Sequence, residues 1–494
     1  MYNVSGMPNK SKGKATSSPV SRIANFIRSL KNTRYRSQAE YFESISNAAE
    51  LFGNAAMALS RLEASHLAAG QITQLHMSRT LEVTPTGNPE KDYRKIQFAI
   101  DHANPGDRVL LKSGIFRSAG VVWVWKDISI EGEPGAVLEG TTQHSGKVIA
   151  DPSINGGFIL IGNPNVEIKN IHFRHLYFAI ASGSFNSILL LNNFFEDIYQ
   201  SVYLNSGTGT LVARNNQFLI TSLNQLSTRC RLNFFDESHL FGFYCNGAIR
   251  AVLENNRLEI SELTGSQQFH VIGVYCSGKE AALIRGNFFK GWHAPIAMHH
   301  SRHATIINNE IHGMCEDSEY RPIGIFLKNC HEPVVCSNAI TNRGLGTGAI
   351  AIAASGTKKG RILANRINMS RDANAGIMIH KSNGMMVGQN IVGAIPCPIG
   401  VFGDQSEDVK ENLLFCNIIE GNADIQMAYA SDNTVIGPSN NALGDRENAL
   451  IGYNVEITDG MPGRLDEVSR HQRVFEHIGR NVWPAVPKKY LSGE

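Results

Sequence analysis

The chain has 494 residues, with 46 Lys+Arg against 44 Asp+Glu, 42% hydrophobic and 18% charged residues. That composition supports a large core and excludes wholesale disorder, and a net charge of +2 excludes the chain-wide positive field of a dedicated polyanion binder such as a nucleic-acid protein. No apolar run approaches the roughly 18 residues of a membrane span, and the N-terminus lacks the continuous apolar stretch of a secretory signal, so no transmembrane segment is expected and no compartment is assigned.

Residues 1–36 carry eight basic side chains and no acid, and read as a basic, flexible tail. Within them Ile23, Phe26, Ile27 and Leu30 form a short apolar stripe among arginines, the pattern of a targeting or membrane-surface helix. Residues 37–90 read as a helical segment and linker. Ser37 and Glu40 make a capping box, and Tyr41, Ile45, Ala48, Leu51, Phe52, Ala55, Leu59 and Leu62 follow at helical spacing. An apolar face of this kind must be covered, so residues 22–62 offer anchoring or oligomerisation, with packing on the chain's own body the simpler choice.

Residues 91–107 predict a helix and turn: Tyr93, Ile96, Ala99, Ile100 and Ala103 share one face, ahead of Pro105-Gly106-Asp107. Val109-Leu110-Leu111 opens the strands. From about residue 165 one motif recurs, an apolar residue, then a small polar pair ending in Asn, then an apolar residue. Its asparagines are Asn193, Asn216, Asn256, Asn287, Asn309, Asn338, Asn365, Asn390 and Asn417. A repeat of this length means a solenoid. Leucine-rich repeats share the period, but here each interval holds a second alternating strand, as in Ile296-Ala297-Met298 and Ile323-Gly324-Ile325, and no helix. The expectation is therefore an all-β, parallel β-helix solenoid over 108–445, a helix capping its open end, and a C-terminal cap or tail over 446–494. The asparagine column is expected at a corner, where Asn tolerates the left-handed conformation and its amide bonds to the next coil.

With its capping helix, the following Asp-Ile-Ser-Ile-Glu-Gly segment and the Asn-Asn-x-Phe coils, the chain resembles the right-handed parallel β-helix proteins of the pectate-lyase-like superfamily. The resemblance covers roughly 91–445 and implies a fold, not a reaction. The polygalacturonase-like Asn-Thr-Asp, Asp-Asp and Gly-His-Gly segments are absent, and Asp151-Pro152-Ser153 lacks the His of the alginate epimerase-like motif.

Because the interior of such a coil is filled, chemistry must sit on an outward face. Aligned second strands give a column of small residues (among them Ala179, Gly242, Gly273 and Gly324) beside an outward column containing Tyr244, Tyr275, His299, Phe326, His380 and Phe402. Small residues beside aromatics suit an extended polysaccharide. The same column also suits aromatic pairs that merely stabilise stacked strands. Long inter-coil segments precede the Tyr244, Tyr275 and Phe326 strands and carry His239, His270, Glu316 and Arg321, while His293 lies nearby. Expected catalytic groups are His270, His299, Tyr275, Arg321 and His239. The expected substrate-binding groups are Tyr244, His293, Glu316, Phe326, Lys328, His380 and Phe402. Histidine supplies an acid or base near neutral pH, and a cation neutralises a uronate carboxylate before its α-proton is removed. The favoured reading is a lyase or epimerase on an acidic glycan. The alternative is a non-catalytic β-helix that binds glycan or a protein partner through the same face. No cofactor is implied. His299 and His303 have a spacing that suits a helix better than a strand, so no metal is assigned, and Cys245 and Cys276 read as a stacked interior pair.

Overall fold

The computed structural model describes residues 79–457, apart from 143–147, 149–154, 223–237, 263–268, 315–321, 343–347, 394, 404–408, 421–424, 429, 432–433 and 437–454. The basic tail and the Ser37–Leu62 helix lie outside the described residues. The chain is a right-handed parallel β-helix. Among the described residues, its strands form a 25-stranded sheet, a 12-stranded sheet and a short two-stranded pairing, and every pair of these strands is parallel. A typical coil has three strands, such as Ala294–His299, Thr305–Ile307 and Glu310–His312. The first two share the large sheet because Gln200–Arg214 and Ser238–Glu254 run through the corner unbroken.

Strand β1 (Thr80–Val83) stands in the stretch expected to be a linker, and pairs with β2 (Arg108–Leu111). It is too short for its alternation to have been read. Helix α1 (Pro89–His102) starts at Pro89, with Asn88 accepting from the Lys91 amide. Ile96 and Ile100 are fully buried under it. Gln97 also treats the open end as a partner strand would, since its Oε1 accepts from the Trp123 N–H at 2.8 Å and its Nε2 donates to the Trp123 carbonyl at 3.1 Å. Two backbone groups facing the end of the solenoid are thereby satisfied. Toward the other end, strand Val455–Ile457 pairs with Ile425–Ala428, so at least one β-helix strand lies in the region expected to be the C-terminal cap.

The core is made of stacked files, one residue per coil. Val274, Ile296, Ile325, Ile352, Ile377 and Ile399 form one, all 1% exposed or less. Each such side chain contributes about 1.5–3 kcal/mol on burial. Phe173, Phe195 and Phe218 stack with centroids 5.2 and 4.5 Å apart.

All nine expected asparagines form one continuous ladder. Asn309 shows the pattern. Its Oδ1 accepts from the Asn287 N–H and Nδ2 at 3.0 Å each, and its Nδ2 donates to the Ile284 carbonyl and to Asn338 Oδ1 at 2.9 Å each. The left-handed residue is not the ladder Asn but the one before it. Asn192, Asn215, Asn255, Gly286, Asn308, Ser337, Ala364, Gln389 and Cys416 have φ between 48° and 63°. The first of the two polar residues therefore turns the corner, and the second, freed from that strain, extends along the axis.

Candidate functional site

The site strands bend near their start, and the bend position has no register partner: Phe241 pairs with Ile272 and Phe243 with Val274, while Gly242 is skipped. Small residues occupy this position because a Cβ at Gly242, Gly273 or Gly324 would come within 2.6 Å of the carbonyl oxygen of Gly273, Pro295 or Ala351 respectively. Expected as the floor of a groove, these glycines instead permit a close backbone approach. The register keeps one offset across the skipped residue and pairs Val274, not Ile272, with Ile296, so the single outward column read from sequence is two adjacent files.

The first file runs Tyr203, Tyr244, Tyr275, Ala297, Phe326, Ala353, Met378. These residues are buried and form an apolar cluster distinct from the main core. Tyr244 stacks on Tyr203 and Tyr275 with centroids 4.6 and 5.1 Å apart and planes 7° and 11° apart. Tyr244 and Phe326 were expected to present sticky faces to sugar. Parallel strands about 4.8 Å apart instead put tyrosine on tyrosine, and the ring faces are used on each other.

The second file is polar and runs Asn205, Asn246, Ser277, His299, Lys328, Ser355, His380, and then Phe402. Lys328 is 4% exposed, His299 7%, and Ser355 and His380 6% each. Asn246 Nδ2 donates to Asn205 Oδ1 at 2.9 Å. The Tyr275 hydroxyl leans across from the first file to lie 3.4 Å from His299 Nδ1, and Ser355 Oγ lies 3.3 Å from His380 Nδ1. Burial pushes the Tyr275 phenol up to about 12, so it keeps its proton at neutral pH. Burial raises Tyr244 further, with Tyr203 and Tyr275 adding to it. Each residue of this file from Ser277 to His380 immediately precedes a left-handed turn residue, namely Gly278, His300, Asn329, Gly356 and Lys381. That adjacency was the signal in the sequence for Ser277 and Ser355, which sequence reasoning missed.

His299, Lys328, His380 and Phe402 are thus brought into one file, with Tyr275 beside it. His239 and His270 pair with each other, five residues ahead of Tyr244 and Tyr275. Seven residues separate His270 from Ser277, in register with His299, which is up to about 23 Å of extended chain, so the two histidine sets occupy different stretches of the coil. Arg321 and Glu316 lie outside the described residues. His293 corrects an expectation. It is 1% exposed and falls in line with Val271 and Leu240 of the main core, where its Nδ1 accepts from the Val271 N–H at 3.1 Å. It braces adjacent coils and does not line a groove.

His299 and His303 do not converge on a common point, since His303 is half exposed with Nδ1 3.5 Å from Glu332. Among the described residues, no group of three or more His, Cys, Asp or Glu side chains comes together as a metal site. Cys245 and Cys276 are register partners in the interior, and hydrogen bonding between them, then burial, holds the Cys245 thiol well above its ordinary value. Neither is placed as a nucleophile.

A family described as periplasmic copper-binding protein (NosD) matches residues 254–457. Among curated proteins none matches the chain. Similar solved structures include PfbA, a surface adhesin of Streptococcus pneumoniae, at 12% identity and TM-score 0.48, covering 73% of this chain and 93% of that one. A mannuronic-acid-specific polysaccharide family 6 lyase from human gut microbiota matches at 12% identity and TM-score 0.37, covering 81% and 95%. The A-module of mannuronan C-5 epimerase AlgE4 of Azotobacter vinelandii matches at 13% identity and TM-score 0.38, covering 75% and 99%. By its own sheets and ladder, the chain is a right-handed parallel β-helix.

Proposed function

We propose that the protein binds an extended acidic polysaccharide along the outer face of the first strand set and acts on it as a lyase or epimerase. The observation that carries this reading is the polar file itself: a lysine and two histidines, each at most 7% exposed, in consecutive register with Ser277 and Ser355, beside a tyrosine that holds its proton. In this reading Lys328 neutralises the carboxylate of a uronate, which acidifies the C5 proton. His299 removes that proton. In elimination the electron pair forms the C4–C5 double bond, the C4–O bond breaks, and Tyr275 protonates the leaving oxygen. In epimerisation the C4–O bond stays intact, His299 keeps the abstracted proton, and a water molecule protonates the same carbanion on its opposite face. Desolvation strengthens each of these interactions relative to water. His380 and Ser355 bind the neighbouring sugar. An exported location fits both such a substrate and the periplasmic family that residues 254–457 resemble.

A second reading, binding without turnover, is favoured by the self-stacked tyrosines, which need no substrate to explain them. Incubation with uronate polymers separates the two. Unsaturated ends followed by ultraviolet absorbance report elimination, and deuterium incorporation from solvent reports epimerisation. Lys328→Met is expected to lower turnover about 100-fold or more with the circular dichroism spectrum retained. Silence in both channels with the wild-type protein would sink the catalytic reading.

A further inference from the structure

The corner that follows the polar file is regular over four coils. After His299, Lys328, Ser355 and His380 comes a left-handed residue (His300, Asn329, Gly356, Lys381), then a buried small one (Ser301, Cys330, Thr357, Ser382). Arg302, His331, Lys358 and Asn383 come next, and consecutive parallel bridges hold their backbones in register. The four coils here place Arg302, Lys358, Lys359 and Lys381 at the exposed surface, with Lys328 buried behind them. One carboxylate interrupts this corner, Glu332, and it faces His303 at 3.5 Å and His331 at 3.7 Å. Among the described residues no carboxylate lies within ion-pair distance of Arg302, Lys358 or Lys359. The chain is almost neutral overall, so this positive edge is local.

We infer that this corner is an anion-binding edge that holds an acidic polysaccharide parallel to the solenoid axis. The inference rests on the proposed function for its substrate class and adds a second contact, outside the polar file. Three features select the ligand. In the aligned position Arg302 and Lys358 stand two coils apart, about 9.6 Å at the strand spacing, which is comparable to the length of two sugars in a chain carrying one carboxylate per sugar. Parallel bridges fix the backbone of Lys358 on both sides and that of Arg302 on one, so little ordering is needed when the polymer docks. Finally, the corner has no Phe, Tyr or Trp in residues 299–303, 328–332, 355–359 or 380–384, whereas single-stranded nucleic acid uses aromatic platforms for its bases.

The test compares the full chain with an Arg302→Gln/Lys358→Gln/Lys359→Gln variant, whose three side chains are exposed and make no ion pair among the described residues. Retention of polymannuronate, polygalacturonate, neutral dextran and polyuridylate is measured by affinity electrophoresis at several salt concentrations. The expected result is binding of one or both polyuronates that weakens with salt, no binding of dextran, and a loss of at least about tenfold in the variant at low salt. Unchanged polyuronate affinity in the variant, equal binding of dextran, or tighter binding of polyuridylate overturns the inference. Failure of the groove is distinguishable: a wild-type protein that forms no product yet binds polyuronate through this corner removes the catalytic reading alone.

Discussion

Replacing Asn309 by Ala tests what holds the coils together. The substitution removes one acceptor shared by the Asn287 N–H and Nδ2, and two donations, to the Ile284 carbonyl and Asn338 Oδ1. All four contacts are buried, and the Asn287 N–H and the Ile284 carbonyl would lose partners that the smaller side chain cannot replace. At a net value of about 1 kcal/mol per bond the loss is about 4 kcal/mol, and more if the orphaned groups carry their full desolvation cost. Urea unfolding followed by circular dichroism reads this as a lower midpoint at similar slope. The neighbouring Asn308 is the control: it turns the corner at φ 55° and is exposed, so Asn308→Gly should change stability by only a few tenths of a kcal/mol. A loss below about 1 kcal/mol for Asn309→Ala would mean that the ladder accompanies coil stacking without sustaining it.

Ala364 holds φ 53° without the freedom of glycine, so Ala364→Gly should raise stability by about 0.5–1 kcal/mol, and a lower melting temperature would contradict the strain argument. Gly324→Val should destabilise by about 1–3 kcal/mol, because its Cβ meets the Ala351 carbonyl oxygen at 2.6 Å; an unchanged urea midpoint would show that the bend relaxes freely. Burial raises the Cys330 thiol from 9.0 to about 12 and the Tyr275 phenol from 10.0 to about 12. Both groups bind their protons more tightly folded than unfolded, so their contribution is complete below pH 9 and is lost as pH rises toward about 12. Urea midpoints measured from pH 8 upward should fall across that window, and Tyr275→Phe should reduce the part of the fall above pH 10.

The ladder was legible in the sequence because one chemistry, a buried amide bonding to copies of itself, admits one residue type at one place in every coil. Its nine members appear without an alignment because no other side chain both donates and accepts at that length. The outward columns were harder to read. The triplet Ile-small-apolar stands two residues further along in some coils, so that Ile272 reads as the match of Ile296 although Val274 is its partner, which keeps inward and outward faces correct while mixing adjacent files. Hence Tyr244 and His299 read as one column although they lie in neighbouring ones. His293 misled for another reason: polar character usually marks a surface, and here the backbone N–H of Val271 draws an imidazole into the core file. The strand Thr80–Val83 was invisible because four residues of alternation carry little information beside a stronger helical pattern.

Stacking in register also makes the molecule editable in units. Removing residues 339–365 would take out one turn between two ladder asparagines, joining Asn338 to Arg366 with every inner file uninterrupted. Lys328 would then abut His380 where Ser355 now intervenes. Duplicating or deleting a whole turn can therefore reset the spacing between functional groups in a single genetic event, and leave the scaffold's packing rules untouched.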